Sequence, residues 1–145
     1  MLLFFHLGDV RYALECQRVK EICPLVEMEK VPHAPDHYAG LIHYRGTVIP
    51  VVDLRKLFHR EPCRVRFSTR VIVMDFSNSE DIACENRPDL VGLMAEKVVE
   101  AQYRPEDAFA DSGIRGPDFA CISSVMMESN RATYLIDPDS LRERL

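Results

Sequence analysis

The chain has 145 residues, 47% of them hydrophobic and 28% charged, and a formal net charge of -5. That length suits one ordinary domain, which buries roughly 68–70% of its extended surface and can build a core without staples. The acidic balance weighs against nucleic acid or an anionic membrane as main partner, since both are polyanions, and five cysteines scattered at 16, 23, 63, 84 and 121 make no disulfide framework and fit a reducing cytoplasm.

The opening run, residues 2–7, has no basic residue before it and meets Asp9 too early for a signal peptide or a membrane span. It reads as a first strand. Residues 10–14 form a second, and Gly8-Asp9 between them is the two-residue connection of a tight hairpin. Val19, Ile22 and Cys23 recur at one-turn spacing and Pro24 follows, so residues 16–23 predict a short helix or helical turn. Residues 26–31 read as extended, and Pro32 and Pro35 lead to a short helix over about 36–42 with Asp36 as its cap.

Residues 40–54, Gly-Leu-Ile-His-Tyr-Arg-Gly-Thr-Val-Ile-Pro-Val-Val-Asp-Leu, are the most informative stretch. Gly46 after Arg45 can take a positive φ, so the chain can reverse there and present the arginine on a turn. The β-branched run that follows predicts a largely buried strand, with Pro50 at a sheet edge or bulge because it cannot donate to a ladder. Asp53 suits an N-cap, and Leu54, Leu57 and Phe58 then share one helical face.

Beyond it, Arg60, Arg64, Arg66 and Arg70 crowd a segment that reads as a solvated basic connector. Residues 70–76 carry apolar side chains on both faces and predict a central strand. Residues 77–89 are acidic and poor in apolar groups, an exposed loop with some order expected at 82–84. A strand over 90–94, a helical turn over about 96–101 and a loop over 104–117 follow. A closing hairpin from 120–126 and 132–136 and a helix capped by Asp137, with Pro138 first in it and an end near Arg144, complete the chain.

A shift of 79 positions lays Ala13-Leu14 on Gly92-Leu93, Arg18-Val19 on Lys97-Val98 and Glu21 on Glu100, while Leu135-Ile136-Asp137 and Leu141 echo Val51-Val52-Asp53 and Leu57. Two similar small β units, each of short strands, favour barrels over a single sheet.

Catalytic constellations are weak. Cys16, Cys84 and Cys121 lie in or beside apolar runs, the carboxylate pairs Glu80-Asp81 and Glu106-Asp107 sit in polar loops, and no phosphate loop, nucleophile elbow or kinase signature occurs. His33, His37 and His43 raise a metal site, but a single helix presenting the first two would have to run back through Pro35. The expectation is no enzyme, no metal and no cofactor, with a small-ligand- or metal-binding barrel as the alternative.

Residues 40–54 closely resemble the Gly-Leu-Ile-Asn-Leu-Arg-Gly-x-Val-Ile-Pro-Val-x-Asp-Leu segment of the CheW-like family, the chemotaxis coupling proteins. Phe5 with Leu7, Tyr12-Ala13-Leu14, Val19-Lys20-Glu21-Ile22, Val31-Pro32, Val91-Gly92-Leu93, Val98-Val99-Glu100 and Tyr134-Leu135-Ile136-Asp137 resemble its other segments. The resemblance implies an all-β fold with short helices: two intertwined, SH3-like five-stranded barrels exchanging strands within a single domain over 1–145. It also implies a non-enzymatic cytoplasmic adaptor that joins the cytoplasmic tip of chemoreceptors to the regulatory domain of a CheA-type histidine kinase, recruited to receptor arrays without inserting in the membrane. Its partner-binding positions fall on Val19, Glu21, Gly40, Arg45 and Gly46. His43-Tyr44 and Ala95-Glu96 depart from the family's usual Asn-Leu and Val-Asp, which bears on the partner served.

Overall fold

The computed structural model describes residues 1–77 and 88–145. Among the described residues, nine strands and two helices follow one another as β1 (Leu2–Leu7), β2 (Val10–Glu15), β3 (Val19–Pro24), β4 (Tyr38–Tyr44), β5 (Thr47–Asp53), α1 (Leu54–His59), β6 (Arg70–Asp75), β7 (Leu90–Ala95), β8 (Ile122–Glu128), β9 (Arg131–Ile136) and α2 (Pro138–Arg144). The strands form two sheets, ordered β1-β2-β9-β8 and β3-β6-β7-β5-β4. The first sheet therefore joins the two ends of the chain, and the second is built from its middle.

The anticipated repeat is visible as the same parallel pairing used twice. β2 pairs with β9 through Ala13 opposite Leu135, and β7 pairs with β5 through Gly92 opposite Val51. Each C-terminal member, β9 or β5, runs straight into an aspartate-capped helix: the Asp53 side chain accepts from the Lys56 N–H, and that of Asp137 from Asp139. Asp53 also accepts from the Cys63 N–H at 2.9 Å, which ties the loop after α1 back to the strand before it.

Alternation along β1 and β2 sends side chains into two cores. Leu3, Phe5, Leu7, Tyr12 and Leu14 join the large cluster that includes the second sheet and Leu141 of α2, while Leu2, Phe4 and Ala13 pack with Met126 of β8 on the opposite face. The open flank of β1 is covered by the chain after β7, through Val99 N–H to the Phe4 carbonyl at 3.1 Å and reciprocal bonds between Leu2 and Gln102 at 2.8 Å. The first sheet thus gains a fifth backbone segment, as expected of a small barrel. No helix among the described residues is long and apolar enough to cross a membrane.

Four local expectations are corrected. Residues 36–42 are not a helix: Tyr38–Tyr44 is a strand hairpinned to β5, and Gly40, Ile42 and Tyr44 alternate inward. Residues 16–23 hold only a 3₁₀ turn at Cys16–Arg18 before β3, whose alternating exposure marks an edge strand paired with β6. Residues 96–101 make no helical turn, because Glu96 and Val99 bond to β1 and the Val98 N–H to the Ser68 carbonyl. Pro50 lies on an interior strand, one residue ahead of the point where β7 begins to pair with β5, so its missing N–H falls where that flank is still open. β6 is interior and buried, as anticipated. The order expected at 82–84, the pair Glu80-Asp81 and Cys84 lie outside the described residues.

Candidate partner-binding face

The turn between β4 and β5 has two residues, Arg45 and Gly46, with Tyr44 opposite Thr47. Both take positive φ, 47° and 80°. That is the signature of a type I′ hairpin, whose twist matches the flanking strands and whose first position favours asparagine, aspartate or glycine. Arginine is there against local preference. Its side chain is 70% exposed and forms an ion pair with Glu21 on edge strand β3, Nη2 to Oε2 3.2 Å, while its guanidinium lies over the Tyr44 ring at 5.6 Å.

Tyr44 closes the group from below. Its ring is buried in the core and its hydroxyl donates to Glu21 Oε2 at 2.5 Å. That hydrogen bond, opposed by desolvation and reinforced by Arg45, holds the Glu21 carboxyl below its usual range, and it raises the Tyr44 hydroxyl. Glu21 is therefore an anion with a fixed direction, and Arg45 its exposed counter-charge. An exposed ion pair of this kind contributes little to stability, so either member can re-pair with a partner at small cost to the fold.

Of the positions expected at the interface, Glu21, Arg45 and Gly46 come together here. Val19 begins the same edge strand, half-buried opposite Met74, with a bulge between it and Glu21. Gly40 lies towards the other end of β4 and is buried, so it makes no part of the exposed cluster. It takes φ 154°, and a Cβ there would stand 2.6 Å from the Glu29 carbonyl oxygen; Leu41 and Glu29 exchange backbone bonds beside it at 2.7 and 3.0 Å. Its glycine is needed for close backbone approach. Tyr44 is the member that sequence reasoning missed, although its place next to the turn arginine was a usable signal. Apolar side chains flank the cluster in sequence, with Ile22 and Val48 both exposed.

The other candidates show little chemistry. Burial pushes the thiols of Cys16, Cys23, Cys63 and Cys121 up, opposite to the shift that makes a nucleophile. His33 and His43 are exposed, and His37 packs on the Tyr38 ring at 4.6 Å. Among the described residues no group of three His, Cys, Asp or Glu side chains could hold a metal ion.

Comparison with known proteins converges on one family. The family model described as CheW-like domain matches residues 1–145. The chemotaxis protein CheW of Klebsiella aerogenes is 30% identical over 109 residues, 74% of this chain and 63% of that protein. The chemotaxis protein CheW of Bacillus subtilis is 23% identical over 145 residues, 99% of this chain and 86% of its own. In three dimensions the chain is similar to the scaffolding protein TtCheW from Thermoanaerobacter tengcongensis, with a TM-score of 0.78 at 22% identity, covering 94% of this chain and 83% of that one. The alignment thus spans just under two thirds of the Klebsiella protein's length.

Proposed function

Because the chain belongs to the CheW-like domain family, we propose that this chemotaxis-type scaffold couples the cytoplasmic tips of chemoreceptors to the regulatory domain of a CheA-type histidine kinase. The role is non-enzymatic and cytoplasmic. Two surfaces hold receptor and kinase in one geometry, so that a change in one alters the other through the scaffold. We assign one of these surfaces to the face built by Val19, Glu21, Arg45 and Gly46, with Gly40 setting the path of β4 beneath it. The observation that supports this most directly is Arg45 itself. A residue poorly suited to its backbone conformation, yet exposed and aligned by Glu21 and Tyr44, supports a role other than making the turn.

The test is Arg45→Glu, assayed on one preparation for folding and for capture of purified receptor-tip fragments and the kinase regulatory domain. Losing a charge pair at an interface costs about 2–5 kcal/mol, and reversing its sign adds repulsion, so binding to at least one partner weakens by about tenfold or more. The melting curve changes little, since a surface substitution away from caps and core stays within about 0.5 kcal/mol. Normal capture of both partners overturns the assignment of this face.

A further inference from the structure

The first sheet carries a second group of charges that the partner-binding face does not use. His6 and Arg11 stand opposite one another on β1 and β2, and Arg11 stands opposite Thr133 on β9. Alternation returns Arg131, two residues earlier on β9, to the same face. On the other flank, reciprocal backbone bonds of 2.8 and 3.0 Å join His6 to Glu96, and the next residue, Lys97, turns through a left-handed φ of 46°. His6, Arg11, Lys97 and Arg131 line a single concave site of about 460 Å³, in which Asp9 is the one lining acid among the described residues.

Three observations separate this site from a solvated charged patch. Among the described residues, no carboxylate forms an ion pair with Arg11, Lys97 or Arg131. Arg11 lies over the buried Phe4 ring at 4.4 Å instead. Glu96, the nearby acid, is already committed to the Gly8 and Arg64 N–H groups at 3.1 and 2.9 Å and to Arg55 at 3.2 Å. Second, His6, which lines the site, has its Nδ1 buried with no hydrogen-bond partner among the described residues. Buried polar atoms in such a state call for an explanation. Third, the cations act on a common point: after desolvation, Lys97, Arg11 and Arg131 all lower the pKa of His6, against the opposing pull of Glu96.

We propose that this site binds a phosphate-type oxyanion, held by Arg11, Lys97 and Arg131. Three cations from three separate segments converge on it, and guanidinium forks match the paired oxygens of a phosphate. A single carboxylate would leave most of the positive charge uncompensated. The oxyanion is either free phosphate or pyrophosphate, or the phosphorylated side chain of a partner. An anion placed among these groups raises the proton affinity of His6, so binding takes up a proton and tightens as pH falls. Asp9, Glu96 and the three cations are the charged groups that surround His6.

The experiment uses the full chain and titrates inorganic phosphate and pyrophosphate by calorimetry at constant ionic strength, with chloride as the matched control. A phosphoserine peptide and its unphosphorylated form make the second arm. Saturable binding is expected, weakened about tenfold or more by Arg131→Gln, which removes a charge-assisted contact. Lys97→Asn is the companion variant, because asparagine keeps the left-handed backbone. Sulfate, which does not titrate in the range used, binds more tightly at about pH 6 than at about pH 8, and equal affinity at the two overturns the part assigned to His6. Tighter binding of the phosphopeptide than of free anions assigns the source to a partner protein, and the reverse order assigns it to a small molecule; both uphold the site. An effect equal to that of chloride, or unchanged affinity in both variants, overturns it.

Discussion

At Arg45 the demands of the fold can be told apart from those of the proposed interface. At φ 47° in a two-residue turn, asparagine is the residue that backbone chemistry would choose. Arg45→Asn therefore leaves the hairpin as stable as before, or more stable by a few tenths of a kcal/mol, since the lost pair with Glu21 is exposed and worth little. The same substitution removes the exposed guanidinium and should lower capture of the partner that Arg45→Glu loses. Chemical denaturation beside a binding isotherm checks both halves. A variant that loses stability and keeps binding would make Arg45 a structural residue.

At the scale of elements, the buried Arg55–Glu96 pair ties four segments together. Arg55 on α1 meets Glu96 just beyond β7 at 3.2 Å, and the same carboxylate accepts from Gly8 in the β1–β2 turn and from Arg64 in the loop after α1. Burial alone would raise the Glu96 pKa, but these backbone and guanidinium hydrogen bonds outweigh it and hold the carboxyl below its ordinary value of 4.5. Glu96→Gln leaves the buried Arg55 with only the exposed Glu61, at 2.9 Å, as counter-charge and should destabilise the protein by about 3 kcal/mol. The sign of the pH dependence follows from the lowered pKa. The charge contributes its full stabilisation above the unfolded value and loses it as pH falls through the lower folded value, so the gap between wild type and Glu96→Gln narrows in acid. Urea denaturation of both proteins over a descending pH series measures that gap, and a constant gap would show that the charge on Glu96 is not what stabilises the joint.

For the molecule as a whole, the first sheet joins strands from the two ends of the chain. β9 lies between β8 and β2, and Leu141 of α2 belongs to the same buried cluster as the second sheet. A chain ended at residue 110 would lose β8, β9 and α2, and would leave β2 with an unpaired edge and the core open where Ile136, Leu141 and Cys121 now fill it. We expect it to show no cooperative transition by calorimetry, whereas the full chain unfolds in one step. A truncated chain that melts cooperatively near the full-length temperature would mean that the second sheet is an independent domain.

What was legible in the sequence is what local chemistry controls. The caps at Asp53 and Asp137, the Arg45-Gly46 reversal, the doubly apolar central strand and the repeat that becomes two parallel pairings all depend on neighbours within a few residues or on a recurring pattern. Residues 16–23 and 36–42 escaped local reading because apolar residues at i, i+3 and i+4 in so short a run suit a helix turn and a strand alike, and residues 96–101 carry too few apolar side chains to show either period. Their state is decided by a partner. β3 finds β6, β4 finds β5, and the segment after β7 finds β1, two of these pairings being remote in sequence. The site divides in the same way. Arg45 and Glu21 could each be named from motifs, but the 3.2 Å between them and the tyrosine hydroxyl that orients the carboxylate exist only once the edge of one strand has been folded against the turn of another.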